Sequence, residues 1–222
     1  MKYFNYFLMS IAVLTSCKQE NQSIKKLNYS ATELFDSAML ESLRGNHKKA
    51  IKLFDQAINI NPTYEDAYFC RSGEKFQLGD YLGVIKDCSK VIELNPKRDA
   101  AYQNRGASKL GLGDNKGAIQ DYSIVISLNP NRHEVYYDRG KAYGNIGDYE
   151  SALNDYTKAI ELNPEIGAYY DLRGASKLEM GDFESGCEDF RKAGELGFEC
   201  GYDHMKEYCD NYENGSLEKV KE

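Results

Sequence analysis

The residues equipped for chemistry are sparse. Histidine occurs three times, at His47, His133 and His204, each in a different part of the chain. A helical metal site would need two such donors one turn apart on a shared face, and no two histidines stand that close. Cysteine occurs six times, at Cys17, Cys70, Cys88, Cys187, Cys200 and Cys209. Cys200 and Cys209 are too widely spaced for a Cys-x-x-Cys zinc or redox motif. There is no Gly-x-Ser-x-Gly nucleophile turn, no phosphate-cradling Walker loop and no His-Glu-x-x-His. These residues predict no catalytic residue, no metal, no cofactor and no small-molecule substrate. The chain reads as a non-enzyme.

Cys17 has a chemical setting of its own. Met1 and Lys2 precede an almost uninterrupted apolar stretch, Tyr3 to Val13. Such a stretch fits the hydrophobic region of a secretory signal and is too short to span a bilayer comfortably. It ends in Leu14-Thr15-Ser16-Cys17, which resembles the bacterial lipobox. The resemblance implies a signal peptide over 1–16, a diacylglyceryl thioether on the Cys17 sulfur, cleavage before it, and acylation of the new amine, palmitate being a typical chain. Several acyl chains together anchor stably, since each buried CH₂ contributes about 0.8 kcal/mol. The polar segment 17–30 reads as a flexible tether. By resemblance to lipoprotein sorting, Lys18 favours the outer membrane, facing the periplasm or the surface. Export makes disulfides possible. The five remaining cysteines are odd in number, so at least one stays unpaired within a monomer. Cys88 and Cys187 read as small hydrophobes on packing faces. A Cys200–Cys209 bridge is the candidate, unless both lie on one continuous helix, too far apart to bond.

Composition narrows the class. The chain has 222 residues, long for one globular domain but compatible with a stacked array forming one cooperative unit. Hydrophobic residues make up 41%, too few for a multispan membrane protein. The formal net charge is −7, and the basic pairs Lys25-Lys26 and Lys48-Lys49 are isolated, which argues against a nucleic-acid partner. With 18 tyrosines and no tryptophan, tyrosine must supply the aromatic bulk for packing.

The elements that position these residues follow a period. Asn-Pro occurs at Asn61-Pro62, Asn95-Pro96, Asn129-Pro130 and Asn163-Pro164, 34 residues apart each time. Gly followed by Asp or Asn keeps the register at Gly45-Asn46, Gly79-Asp80, Gly113-Asp114, Gly147-Asp148 and Gly181-Asp182. Gly ends a first helix by entering the left-handed region, the next residue can cap a second helix, and Asn-Pro stops it. Period and markers resemble the tetratricopeptide repeat over 31–198. The resemblance implies an all-α, right-handed α-solenoid of five helical hairpins, over 31–64, 65–98, 99–132, 133–166 and 167–198. Where a fifth Asn-Pro is due the chain reads Gly197-Phe198. A capping helix is expected over 199–213, with Met205 and Tyr208 facing inward, followed by a polar tail over 214–222.

Small residues recur where helices must touch, at Ala38, Ser72, Gly106, Gly140 and Gly174, and larger ones recur in the gaps between, at Phe54, Cys88, Tyr122, Tyr156 and Phe190. That alternation is a packing pattern. Arg71, Arg105, Arg139 and Arg173 recur sixteen residues before Asp87, Asp121, Asp155 and Asp189, while the first repeat has Ser37 and Leu53 at those positions. Joint presence and joint absence predict partly buried Arg–Asp pairs. In the resembling family one face of each first helix lines a concave groove. Mapped residue by residue, that face carries Phe35, Asp36, Met39, Phe69, Cys70, Gln77, Gln103, Asn104, Tyr137, Asp138, Lys141, Asn145, Asp171 and Glu179. Rings among amides and carboxylates suit an extended peptide, neutral or basic. Lys141 stands nearly alone, so a carboxylate clamp is not expected. The expected function is a membrane-anchored protein–protein interaction scaffold of the bacterial cell envelope. The alternative is a passive structural subunit or assembly factor of an outer-membrane complex, contacting partners by its convex face or ends.

Overall fold

A computed structural model describes residues 29–209. Cys17, the signal peptide, the tether up to residue 28 and the tail lie outside the described residues. Ten helices form five hairpins: α1 (Ala31–Leu43) with α2 (His47–Ile60), α3 (Glu65–Gln77) with α4 (Tyr81–Leu94), α5 (Asp99–Gly111) with α6 (Asn115–Leu128), α7 (His133–Asn145) with α8 (Tyr149–Leu162), and α9 (Gly167–Glu179) with α10 (Phe183–Glu195). A short α11 (Glu199–His204) and a π-helical turn (Met205–Cys209) close the array. Among the described residues the regular structure is entirely helical.

The markers act locally. Gly45, Gly79, Gly113, Gly147 and Gly181 have φ between 74° and 84°, a region open to glycine without a steric cost. Asp80, Asp114, Asp148 and Asp182 each accept a backbone N–H of the second helix, at 2.9, 2.9, 3.1 and 3.3 Å. Asn46 departs from this: it makes no side-chain cap, and its amide donates to Glu41 instead. Asn61, Asn95 and Asn163 also accept the N–H two residues on. The asparagine therefore builds the turn that Pro only permits. After α10 the chain stops differently: Gly197 takes φ 81° and the Phe198 N–H reaches the Ala193 carbonyl at 3.0 Å. A glycine stop of the kind that ends the first helices has replaced Asn-Pro.

Large and small residues meet across each hairpin. A Cβ on Gly140 would lie 2.7 Å from the Tyr156 ring, and one on Gly174 would lie 2.9 Å from the Gly186 carbonyl oxygen. Both are closer than packed carbon atoms allow. Where the second helix carries only Cys88, the first helix carries Ser72, and both are fully buried. First helices of successive hairpins also touch (α3 with α5, α5 with α7, α7 with α9, α9 with α11), whereas no two second helices pack as closely. The stack therefore closes toward its first helices, which form the inner wall.

Candidate interaction groove

The periodic ion pairs hold this wall in place. Arg105 Nε and Nη2 donate to Asp121 at 2.9 and 2.6 Å, Arg139 to Asp155 at 2.8 and 2.7 Å, and Arg173 to Asp189 at 2.8 and 2.7 Å. Arg71 makes the same fork to Asp87. The carboxylates are nearly inaccessible and the guanidiniums mostly buried. Burial pushes the Arg71 and Arg139 pKa down, but the carboxylate bonds outweigh it and leave both raised. For Arg105 and Arg173 the hydrogen bond to the carboxylate is the largest cause of the rise. Sequence reasoning missed the third partner of each arginine. Nη1 reaches back one hairpin, to Asp55, Ser89, Ser123 or Thr157 at 2.6, 3.1, 2.9 and 3.4 Å. Each arginine therefore clamps three helices. The signal was present, since those four acceptors also recur every 34 residues. Lys75, Lys109 and Lys177 add a second cation to the same carboxylates at 2.8 Å. Tyr143 takes that position in the fourth hairpin, under Arg139.

One set of expected groove residues is instead largely occupied by the seams between hairpins. Phe35 packs on Tyr64 with ring centroids 5.0 Å apart. Phe69 lies 4.4 Å beneath the Arg98 guanidinium. Gln103 accepts Arg132 Nη2 at 2.6 Å, and Tyr137 packs on Tyr169 at 4.9 Å. Asp171 accepts from His204 Nδ1 at 2.7 Å and is only 3% exposed. These are equivalent positions, and at each one the next hairpin or the cap covers the side chain. Asp171 is a correction: it is closed to a partner, because the capping segment lies where a sixth hairpin would. The neighbouring set is half-buried, except for exposed Asp36. Cys70 is desolvated enough for its thiol to be pushed up to about 11. Asn104 is half-buried. Burial raises the Asp138 carboxyl above its usual range, with Lys141 opposing.

Open wall remains at Asp36, Gln77, Asn145 and Glu179, with Lys141 beside them and Met39 partly covered. Leu43, 82% exposed, shares the repeat position of Gln77, Asn145 and Glu179, and Phe76, 42% exposed, is its neighbour. Sequence reasoning passed over both, although the period marks them. The wall ends in a cavity of about 340 Å³ lined by Ala175, Leu178, Glu179, Phe183, Phe190, His204 and Tyr208.

The cap is fastened covalently by Cys187–Cys209, with Cα atoms 5.8 Å apart. This corrects two readings. The bridge is not Cys200–Cys209, and Cys187 is a bonding partner rather than a small hydrophobe. Cys200 opens α11 and stays exposed, while Cys209 ends the following turn and faces α10. The two ride the same helical segment and point apart. Cys88 is a fully buried free thiol, pushed up to about 11 by burial. His47 bonds Glu74 at 2.7 Å, and His133 bonds the Tyr169 hydroxyl at 2.7 Å. All three histidines therefore join neighbouring hairpins or the cap.

Hairpins of this length, stacked with their first helices inward and cross-linked by period-34 contacts, give the chain the fold of an α-solenoid built from tetratricopeptide-type hairpins. Models of the tetratricopeptide repeat match residues 34–64 and 133–166. Among solved structures, the chain is similar to MamA from Desulfovibrio magneticus RS-1, at 23% identity and a TM-score of 0.73, covering 75% of this chain and 94% of that one. It is also similar to YrrB, described as a TPR protein with an unusual peptide-binding site, at 18% identity and a TM-score of 0.73, covering 84% and 97%. A further MamA structure covers 86% of this chain and 98% of its own, at 20% identity and a TM-score of 0.72. At these identities the likeness speaks to the fold alone. No curated protein matches the chain.

Proposed function

We propose that this protein is a lipid-anchored scaffold of the bacterial cell envelope that holds a neutral or basic protein segment against the inner wall of its solenoid. The observation that carries this reading is the wall itself. After the seams have taken Phe35, Phe69, Gln103, Tyr137 and Asp171, exposed amides, carboxylates and apolar side chains still run along it from Asp36 to Glu179. Amides can pair with an extended backbone, carboxylates favour basic side chains, and Phe76 and Leu43 offer apolar contact. YrrB supports the peptide reading by analogy of fold. The disulfide supports an oxidising compartment, as an exported chain would meet. The lipobox-like segment ending at Cys17 supports anchoring, with the outer membrane favoured by Lys18.

Cross-linking capture from intact cells tests the groove. The full-length chain is compared with Asp36→Lys/Glu179→Lys on the inner wall and with Lys52→Ala/Gln120→Ala on the second helices. All four positions are exposed. Capture is expected to fall about tenfold for the wall variant, given the usual worth of charge-assisted contacts, and to stay level for the other. The reverse pattern would overturn the groove and favour a spacer contacting partners by its outer face.

A further inference from the structure

Each hairpin turns from its first helix into its second along one edge of the stack. The edge is continuous. Leu78 lies beside the turn of the first hairpin at Gly45 to Lys49. The Tyr81 ring comes within 3.4 Å of where a Cβ on Gly111 would stand, and Asn145 Nδ2 donates to Asn115 Oδ1 at 3.0 Å. Two rows of side chains with the 34-residue period stand out from this edge, and every member is exposed. One row runs Arg44, Leu78, Leu112, Ile146 and Met180. The other runs Lys48, Leu82, Lys116, Glu150 and Glu184. Leu82 is 71% exposed and Leu112 48%. Apolar side chains left exposed in a contiguous row mark a contact surface.

Charge changes sign along the edge. At the first turn Arg44 and Lys49 share the buried Glu41, at 2.9 and 3.0 Å, so one of their two charges is left over. Lys48 has no carboxylate partner among the described residues, and Asn46 stands where the later turns have an aspartate. The fourth and fifth turns carry Asp148, Glu150, Asp182 and Glu184, none of them paired with a cation among the described residues. Asp148 and Asp182 only cap their helices. Between these ends lie the leucines, with Lys116 and Asp114 together at the third turn. We propose that this edge joins two copies of the chain, antiparallel about a twofold axis beside Leu112.

Reversed end for end, the edge is its own complement. Under such an axis Lys48 of each copy faces Glu184 of the other, Leu78 faces Ile146, and Leu112 meets itself. Lys116 also falls near the axis, within reach of Asp114 on the other copy. An anionic partner would be attracted at the first turn and repelled at the last two, and a cationic one would meet the reverse. A second copy satisfies both ends, and a contact in which one patch meets itself closes at two chains. The charged ends fix the register, and the apolar centre supplies the burial. The inner wall takes no part and stays open in each copy, so the inference goes beyond the groove reading and does not depend on it.

Sedimentation equilibrium of the full-length chain in density-matched detergent tests this. A dimer is expected at about 100 μM chain, ample for a contact of micromolar Kd. Lys48→Glu and Glu184→Lys each place like charges at both ends and should weaken the dimer about tenfold. Mixed in equal amounts, the two variants should regain it, since the ends of one then match the ends of the other. Leu112→Asp brings two carboxylates together at the axis and should weaken it as much. All three positions are exposed, and circular dichroism checks that each variant folds. A monomeric parent overturns the proposal. So do charge variants that pair as the parent does, or a mixture that associates no better than its components. A mass that grows past two copies overturns it too, since a head-to-tail contact would give that.

Discussion

At the scale of single residues, the arginines do more than neutralise a buried carboxylate. Arg139 donates to Asp155 within its own hairpin and to Ser123 in the preceding one. Removing it leaves Asp155 buried and unpaired and also frees the seam. Removing Asp155 leaves the arginine buried with one partner. Each single substitution to alanine should cost roughly 3–5 kcal/mol, and the double substitution should cost much less than the sum. Urea unfolding of the four proteins measures this coupling. Additive losses would mean that the pair stabilises nothing jointly. The pairing of Arg71, Arg105, Arg139 and Arg173 with their aspartates was legible because both positions vanish together in the first repeat. The backward contact was not inferred, because Asp55, Ser89, Ser123 and Thr157 share acceptor chemistry rather than identity.

At the scale of elements, the decisive piece is the cap. Its helix α11 spans only six residues. Isolated helices of that length do not persist in water. The segment is held by the Cys187–Cys209 bridge, by the His204–Asp171 bond and by Phe190 against the His204 and Tyr208 rings. Titration of the unfolded, unreduced protein should find three free thiols apart from Cys17, namely Cys70, Cys88 and Cys200. Five would remove the bridge. Cys209→Ser should lower stability by roughly 3 kcal/mol, as expected for opening a loop of this size. Amide exchange should speed first in α11 and the turn, with α1 to α8 little changed.

At the scale of the whole molecule, the five hairpins stack as a near-one-dimensional array in which each contacts only its neighbours. On the reading proposed above, its function depends on where it is held and what its wall presents. If Cys17 carries the anchor, Cys17→Ser should move the protein from the detergent phase to the aqueous phase in partition experiments, leaving circular dichroism unchanged. Retention of the substituted protein with membranes would refute lipid attachment at that residue. No described helix is long and apolar enough to cross a membrane.

The sequence by itself determined the helical hairpins, because Gly and Asn-Pro stop helices through local backbone sterics that need no tertiary context. It also determined the packing pattern, since large and small residues recur with the period that stacks them. The concave face is a different matter. Helical periodicity gives a side chain's direction but not what the next hairpin lays over it, so Phe69, Tyr137 and Asp171 share a helix face with open groove residues yet lie in seams. The disulfide partner likewise depended on where α11 folds back, which the eight residues between Cys200 and Cys209 do not encode. Local stops are written in single residues and neighbours. Burial and pairing between hairpins arise only when the array closes on itself.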